Sequence, residues 1–259
     1  MTPAEWRMRF REGEVRQTAG LCPGMVQANL ALISAAFADD FELFLRANPA
    51  ACPMLERGLP GDPGLPALGQ IDLRRDLPLY RVFDGGQEAG FLTDIASIWK
   101  EDLVPFAIGC SLSFEADLVA AGVRLRCHAP GKSCSAFDTA LPNQPAGPFA
   151  GNLVVSMRAV RADQLALAAA VTRNHPQAHG APVHAGDPAE IGVDLSRPID
   201  GLGMTDIQPG EVPVFWACGV TVERAIAAAR LPFAITHAPG HMLITDLPAA
   251  PFLPCGDAA

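Results

Sequence analysis

One segment occurs twice, and it constrains this chain more than any other feature. Val104-Pro105-Phe106-Ala107-Ile108-Gly109-Cys110-Ser111-Leu112-Ser113-Phe114-Glu115 returns as Val212-Pro213-Val214-Phe215-Trp216-Ala217-Cys218-Gly219-Val220-Thr221-Val222-Glu223. Val, Pro, Cys and Glu coincide, and Ser113 stands opposite Thr221. Each copy closes on the same four residues, His128-Ala129-Pro130-Gly131 and His237-Ala238-Pro239-Gly240, in a chain with only six His. The pattern predicts a duplicated β-α-β unit, with the shared residues at the strand-to-helix turns where such units bind ligands.

Around this repeat the chain alternates strands and helices. Apolar strands are expected at 103–109, 123–127, 153–157, 213–217 and 233–236, and helices at 114–121, 162–173 and 222–230. Leu79 to Phe83 followed by Asp84-Gly85-Gly86 reads as a strand entering a hairpin. Met25, Val26, Leu30, Ile33 and Phe37 fall near a 3.6-residue period, so residues 1–47 are expected to be helical. Residues 48–70, rich in Pro and Gly, read as an irregular linker. The fold expectation is α/β: a mixed, largely parallel sheet with duplicated β-α-β units in two lobes, plus N-terminal helices. The divisions are 1–75 for the N-terminal helices and linker, 76–150 and 151–250 for the two lobes, and 251–259 for a flexible tail. One compact domain is the alternative.

At 259 residues with 49% hydrophobic and 18% charged side chains, the chain can bury a full core. A net charge of −9 without a basic cluster speaks against nucleic acid as partner. No run approaches the about 18 apolar residues of a membrane helix. The charged start of the chain lacks an apolar signal segment, and its seven Cys show no framework spacing. Together these predict a cytoplasmic protein with reduced thiols. A homo-oligomer is compatible with all of this.

The chemistry begins at the two turns. Ser113 and Thr221 are placed to cap their helices, leaving backbone N–H groups free to bind anions beyond the strand ends. Two such turns in one sheet suit a dicarboxylate, with Ser111, Ser113, Gly219 and Thr221 as carboxylate binders. The plainer alternative is a pair of ordinary capped helices with small Cys side chains in the core. Cys110 and Cys218 border the same sites, and a helix N-terminus can lower a thiol's pKa enough to make a nucleophile. Glu115 and Glu223 lie in the first helical turns, where the helix dipole alone explains an acid.

Five of the six His fall between 175 and 241, beside Pro and Gly and therefore on loops. His237 and His241, and His179 with His184, are the candidates for proton transfer. Ligation of a metal by loop His is weighed, but no Cys-x-x-Cys occurs and no metal or cofactor is expected. Gly131-Lys132-Ser133 lacks the earlier Gly of a phosphate-binding loop, and no Gly-x-Gly-x-x-Gly follows a strand.

Five stretches resemble a known family: Thr18 to Leu30, Gly109 to Glu115, His179 to Pro188, Gly210 to Val220, and Thr236 to Met242. They are similar to the bacterial hydro-lyase family to which D-glutamate cyclase belongs, over about residues 5–247. The resemblance implies a cytoplasmic α/β lyase that removes water from a small carboxylated substrate, as when D-glutamate closes to 5-oxo-D-proline. The chain departs from the family's Pro-Met-Tyr-x-Thr-Asn-x-Pro-Cys loop at Ser135 to Asn143, where Phe137 lacks a hydroxyl and Ala140 lacks an amide. Those changes put the substrate, or the activity itself, in question. The rivals to an enzyme with His237 and His241 as acid and base, supported by His179 or His184 and Glu115, are two. One is a non-catalytic protein that binds a carboxylated metabolite; the other is a Cys-dependent amide hydrolase.

Overall fold

The computed structural model describes residues 1–128, 134–199 and 203–249. Ala129–Gly131 of the first His-Ala-Pro-Gly copy, Lys132-Ser133 and the 251–259 tail lie outside the described residues. Helix α1 (Pro3–Arg11) opens the chain, its N-terminus held by a capping box between Thr2 and Glu5. Strand β1 (Met25–Ser34) follows, buried along almost its whole length, and then helix α2 (Ala35–Ala47). The helical period read into Met25, Val26, Leu30 and Ile33 is therefore a strand. A strand covered on both faces loses its alternating pattern, and its continuous apolar run fits a helix equally well. The linker at 48–70 holds a short strand, β2 (Met54–Arg57), while the expected hairpin forms as β3 (Tyr80–Asp84) and β4 (Gln87–Leu92).

The first repeat supplies β5 (Leu103–Gly109), a 3₁₀ turn at Ser111–Phe114 and the short helix α3 (Glu115–Ala120). Next come β6 (Ser135–Pro142), β7 (Asn152–Arg161), α4 (Leu165–Arg173) and β8 (His184–Ala185). The second repeat supplies β9 (Glu211–Ala217), α5 (Val220–Ala229) and β10 (Phe233–His237), followed by β11 (Leu243–Pro248). The expected strand at 123–127 is absent. Val123, Leu125 and Cys127 instead pack into a core cluster ahead of a 3₁₀ turn at Arg126–His128.

These strands make two sheets. The seven-stranded sheet runs β2-β5-β1-β10-β3-β4, with β11 also beside β1; the four-stranded sheet runs β6-β7-β9-β8. Every pairing of these strands is antiparallel, so the expected largely parallel sheet is not what forms. The reason lies in where the helices go. A β-α-β unit becomes parallel when its helix folds back over the sheet that it left. Here β5 belongs to the seven-stranded sheet and β6 to the four-stranded one, while β9 and β10 lie in the opposite order. Each repeat thus carries the chain across from one sheet to the other.

The core records the same crossing. Val222, Ala225 and Ile226 of α5 join Phe41 and Phe44 of α2 over Ile33, Phe106 and Ile108 of the seven-stranded sheet. Phe114 and Leu118 of the first repeat join Ala168 of α4 over Val160, Val214 and Trp216 of the four-stranded sheet. Each buried Phe, Leu or Ile contributes roughly 1.5–3 kcal/mol, so the exchange of helices locks the two sheets together. Strands β10-β1-β5 and β6-β7-β9 are the corresponding triplets, and their helical faces meet at the cavity described next.

Candidate active site

Between the two repeats lies a cavity of about 90 Å³, lined in matched pairs by Cys110 and Cys218, Leu112 and Val220, and Asn29 and Ser156. Ser111, His179 and Ala136 are also among its wall residues, and Gln17, Pro239 and Gly240 border it. Gly240 O accepts from Thr18 N at 2.9 Å, and Met242 N donates to the Thr18 hydroxyl at 3.1 Å, so the bordering segments hold one another. Two glycines allow the close approach. A Cβ on Gly219 would run into the Asn29 carboxamide, and one on Gly109 into the Gln177 carbonyl.

His179 is nine-tenths buried or more and adopts a left-handed backbone (φ 78°), which a following Gly180 shares. Its Nδ1–H donates to the Ala50 carbonyl at 2.9 Å; Nε2 makes no hydrogen bond of normal geometry, and the Gly109 carbonyl also lies close enough to the ring to act on its pKa. Burial pushes its pKa down to about 4, so the ring is neutral at ordinary pH. This is an unprotonated nitrogen held in a cavity wall, which suits a base.

Behind two of the wall residues, Ser111 and Ser156, stands a charged group that the sequence did not single out. Arg158, on β7 beside the four-stranded sheet's helices, is fully buried. Its Nε and Nη2 both donate to Glu115 Oε1, at 3.0 and 2.6 Å. Nη2 also donates to Ser111 Oγ at 3.0 Å and Nη1 to Ser156 Oγ at 3.2 Å. An arginine among the apolar residues of a central strand was the available signal, since such a charge is buried only with a partner.

The two Cys behave against expectation. Burial pushes Cys218 up to about 12 and Cys110 also well above the ordinary thiol range. A backbone hydrogen bond from Val220 and from Leu112, respectively, pulls the other way and does not prevail. Both thiols are neutral, which removes the basis for a thiolate nucleophile.

A family model described as D-glutamate cyclase matches residues 104–246. A protein named "Putative hydro-lyase" from Bordetella petrii is 51% identical over 93% of this chain and 92% of its own length. One of the same name from Methylobacterium radiotolerans is 50% identical over 93% and 90%. The chain belongs to the hydro-lyase family that carries the D-glutamate cyclase domain. A Rhodococcus jostii relative extends the match to 97% of this chain at 47% identity. Among solved structures, a nitrogen repressor-like protein from Methanococcus jannaschii overlays at a TM-score of 0.41 and 10% identity over 90% of this chain and 91% of that one, too remote to carry any argument.

In this member of the family the other sequence candidates take different places. Ser113 and Thr221 are not caps: α3 and α5 start after Phe114 and Gly219, without side-chain caps. Their hydroxyls instead accept the N–H of a neighbouring strand, Gln27 for Ser113 at 3.0 Å and Val154 for Thr221 at 2.9 Å. Neither lines the cavity, whereas Ser111, Cys110 and Cys218 do. His237 is buried at the end of β10. Its Nδ1 accepts from Leu30 N at 3.3 Å, and its Nε2 stands 3.7 Å from Glu223 Oε1, whose other oxygen accepts from Arg81 at 2.9 Å. Burial lowers the His237 pKa to about 4.

His241 is half-buried beside the bordering segment, and its Nδ1–H donates to the Pro239 carbonyl at 2.8 Å. His184 lies on β8, stacked on Phe215 and donating to the Asp187 carbonyl. None of these three forms the cavity wall. Of the departures in the 135–143 stretch, Ala136 lines the cavity, whereas Phe137 and Ala140 do not. Phe137 fills the opposite face of the four-stranded sheet with Val155 and Phe215, and Ala140 is exposed. Among the described residues, no three His, Cys, Asp or Glu side chains converge to hold a metal ion, and no helix is long and apolar enough to cross a membrane.

Proposed function

We propose that this chain removes water from a small carboxylated substrate inside the cavity, with D-glutamate closing to 5-oxo-D-proline as the leading reaction. One observation carries the reading: His179 lines a small-molecule cavity with a neutral ring whose buried Nε2 makes no hydrogen bond of normal geometry. In ring closure the amine nitrogen attacks the γ-carboxyl carbon, a C–N bond forms, and a carboxyl oxygen departs as water. Of the three protons of the substrate ammonium, one stays on the lactam nitrogen and two must reach the departing carboxylate oxygen, the first freeing the amine to attack. His179 relays these protons one at a time, accepting each through Nε2 and passing it to the departing oxygen, a role worth about 10²–10⁴-fold in rate. The buried neutral thiols favour this route over acyl transfer to Cys.

Incubation of the purified chain with D-glutamate, followed by chiral chromatography for 5-oxoproline, tests the proposal. Product from the wild type and its loss in His179→Gln support it. No dehydration of D-glutamate or of any other small amino- or hydroxy-dicarboxylate overturns it. Binding without turnover would make the chain a carrier.

A further inference from the structure

We infer that Ser111 and Ser156 form a carboxylate-binding end of the cavity, and that Arg158 is the positioning residue that makes them donors. The inference deepens the lyase reading and rests on it for the class of substrate. A guanidinium can only donate, so both serine oxygens must accept from Arg158, at 3.0 and 3.2 Å. Each hydroxyl keeps one hydrogen to give. The two oxygens are 3.5 Å apart, so one hydrogen at most is taken up between them. At least one O–H therefore has no acceptor among the described residues, on side chains that line the cavity.

The charge behind those donors is held in place from every side. Glu115 takes two of the guanidinium N–H groups, and the rings of Phe114 and Trp216 lie 5.1 and 5.5 Å from its centre. No Lys, Arg, Asp or Glu lines the cavity among the described residues, so the two hydroxyls are the means by which this buried cation reaches it. A donor polarised by a cation, in a largely apolar space, selects an anionic acceptor oxygen. A carboxylate satisfies it. A carboxamide of the same shape offers these donors one neutral carbonyl oxygen in place of two charged ones and binds more weakly.

Calorimetry with two probes, glutarate and its neutral diamide glutaramide, tests this on the full chain. Wild type is expected to prefer glutarate by about ten- to hundredfold, the size of a charge-assisted hydrogen bond. Ser111→Ala and Ser156→Ala each lose part of that preference, and the double variant abolishes it. Arg158→Lys lowers glutarate affinity in the wild type but adds little in the double variant, because its effect passes through the serines. A wild type without the preference, a double variant that keeps it, or an additive Arg158→Lys overturns the inference. If Arg158→Lys does not fold, the serine variants alone decide. A wild type that prefers glutarate yet dehydrates nothing refutes the lyase reading and leaves this site standing. Turnover of D-glutamate with a preference unmoved in the double variant does the reverse.

Discussion

His179 shows how a single residue joins stability to chemistry. A histidine with a left-handed backbone is held there by its surroundings, here the Ala50 carbonyl and the packing of its ring. The same burial that strips water from Nε2 depresses the pKa to about 4, from an ordinary value of 6.5, and His237 shares that fate. In both, the unfolded chain binds a proton that the native fold refuses. The stabilisation is therefore complete above about pH 6.5 and is lost as pH falls toward about 4. Urea unfolding across that window should show a falling midpoint. His179→Gln should flatten the fall by about 1.4 kcal/mol per pH unit, one proton's worth; an unchanged slope would mean that His179 is not buried neutral. The same variant should lower kcat on a turned-over substrate by about 10²–10⁴-fold and leave KM nearly unchanged, as expected for a base that acts mainly in the transition state. His179 could be named from sequence because Gly and Pro around it marked a rigid loop. Arg158 shows in the sequence only as a charge within an apolar strand, and its partner Glu115, 43 positions away, is brought to it only by the tertiary structure.

At the scale of elements, the repeat preserves a joint. Ser113 and Thr221 each occupy the same offset past their strand, and each hydroxyl accepts the N–H of the adjacent strand, at Gln27 and Val154. Those N–H groups are buried, so deleting either hydroxyl leaves a donor without a partner. Ser113→Ala and Thr221→Val should each cost about 1–3 kcal/mol, read as a shift in the urea midpoint, with kcat/KM unchanged where the variants are folded. A loss of substrate affinity without a loss of stability would restore the anion-binding role that the sequence suggested. β5, β9 and the β3-β4 hairpin were legible because short apolar runs ended in Gly or Cys-containing turns. β1 was not, since two covered faces erase the alternation that distinguishes strand from helix. The step from alternating elements to parallel pairing failed at the connections: sequence shows that a helix follows a strand, not which sheet it covers.

For the whole molecule the crossing has a thermodynamic consequence. α5 leaves the four-stranded sheet and packs on the seven-stranded one, while Leu118 of α3 makes the reverse passage. Neither sheet can keep its apolar cover if the other unfolds, and the cavity takes wall residues from both, Asn29 from one and Ala136 and Ser156 from the other. Leu118 is fully buried against residues of the four-stranded sheet, although its helix is strung from β5 of the other. Leu118→Ala should therefore cost about 2–5 kcal/mol and lower the unfolding midpoint of both sheets together. Trp216 lies fully buried in the four-stranded sheet, and Trp99 packs against the seven-stranded one, so variants that keep one Trp at a time report each side. Their urea transitions should coincide in the otherwise unaltered chain and move by the same amount in the Leu118→Ala background. Two separated midpoints, or a shift seen by Trp216 alone, would mean that the sheets are independent units and that the cavity between them can open without unfolding either.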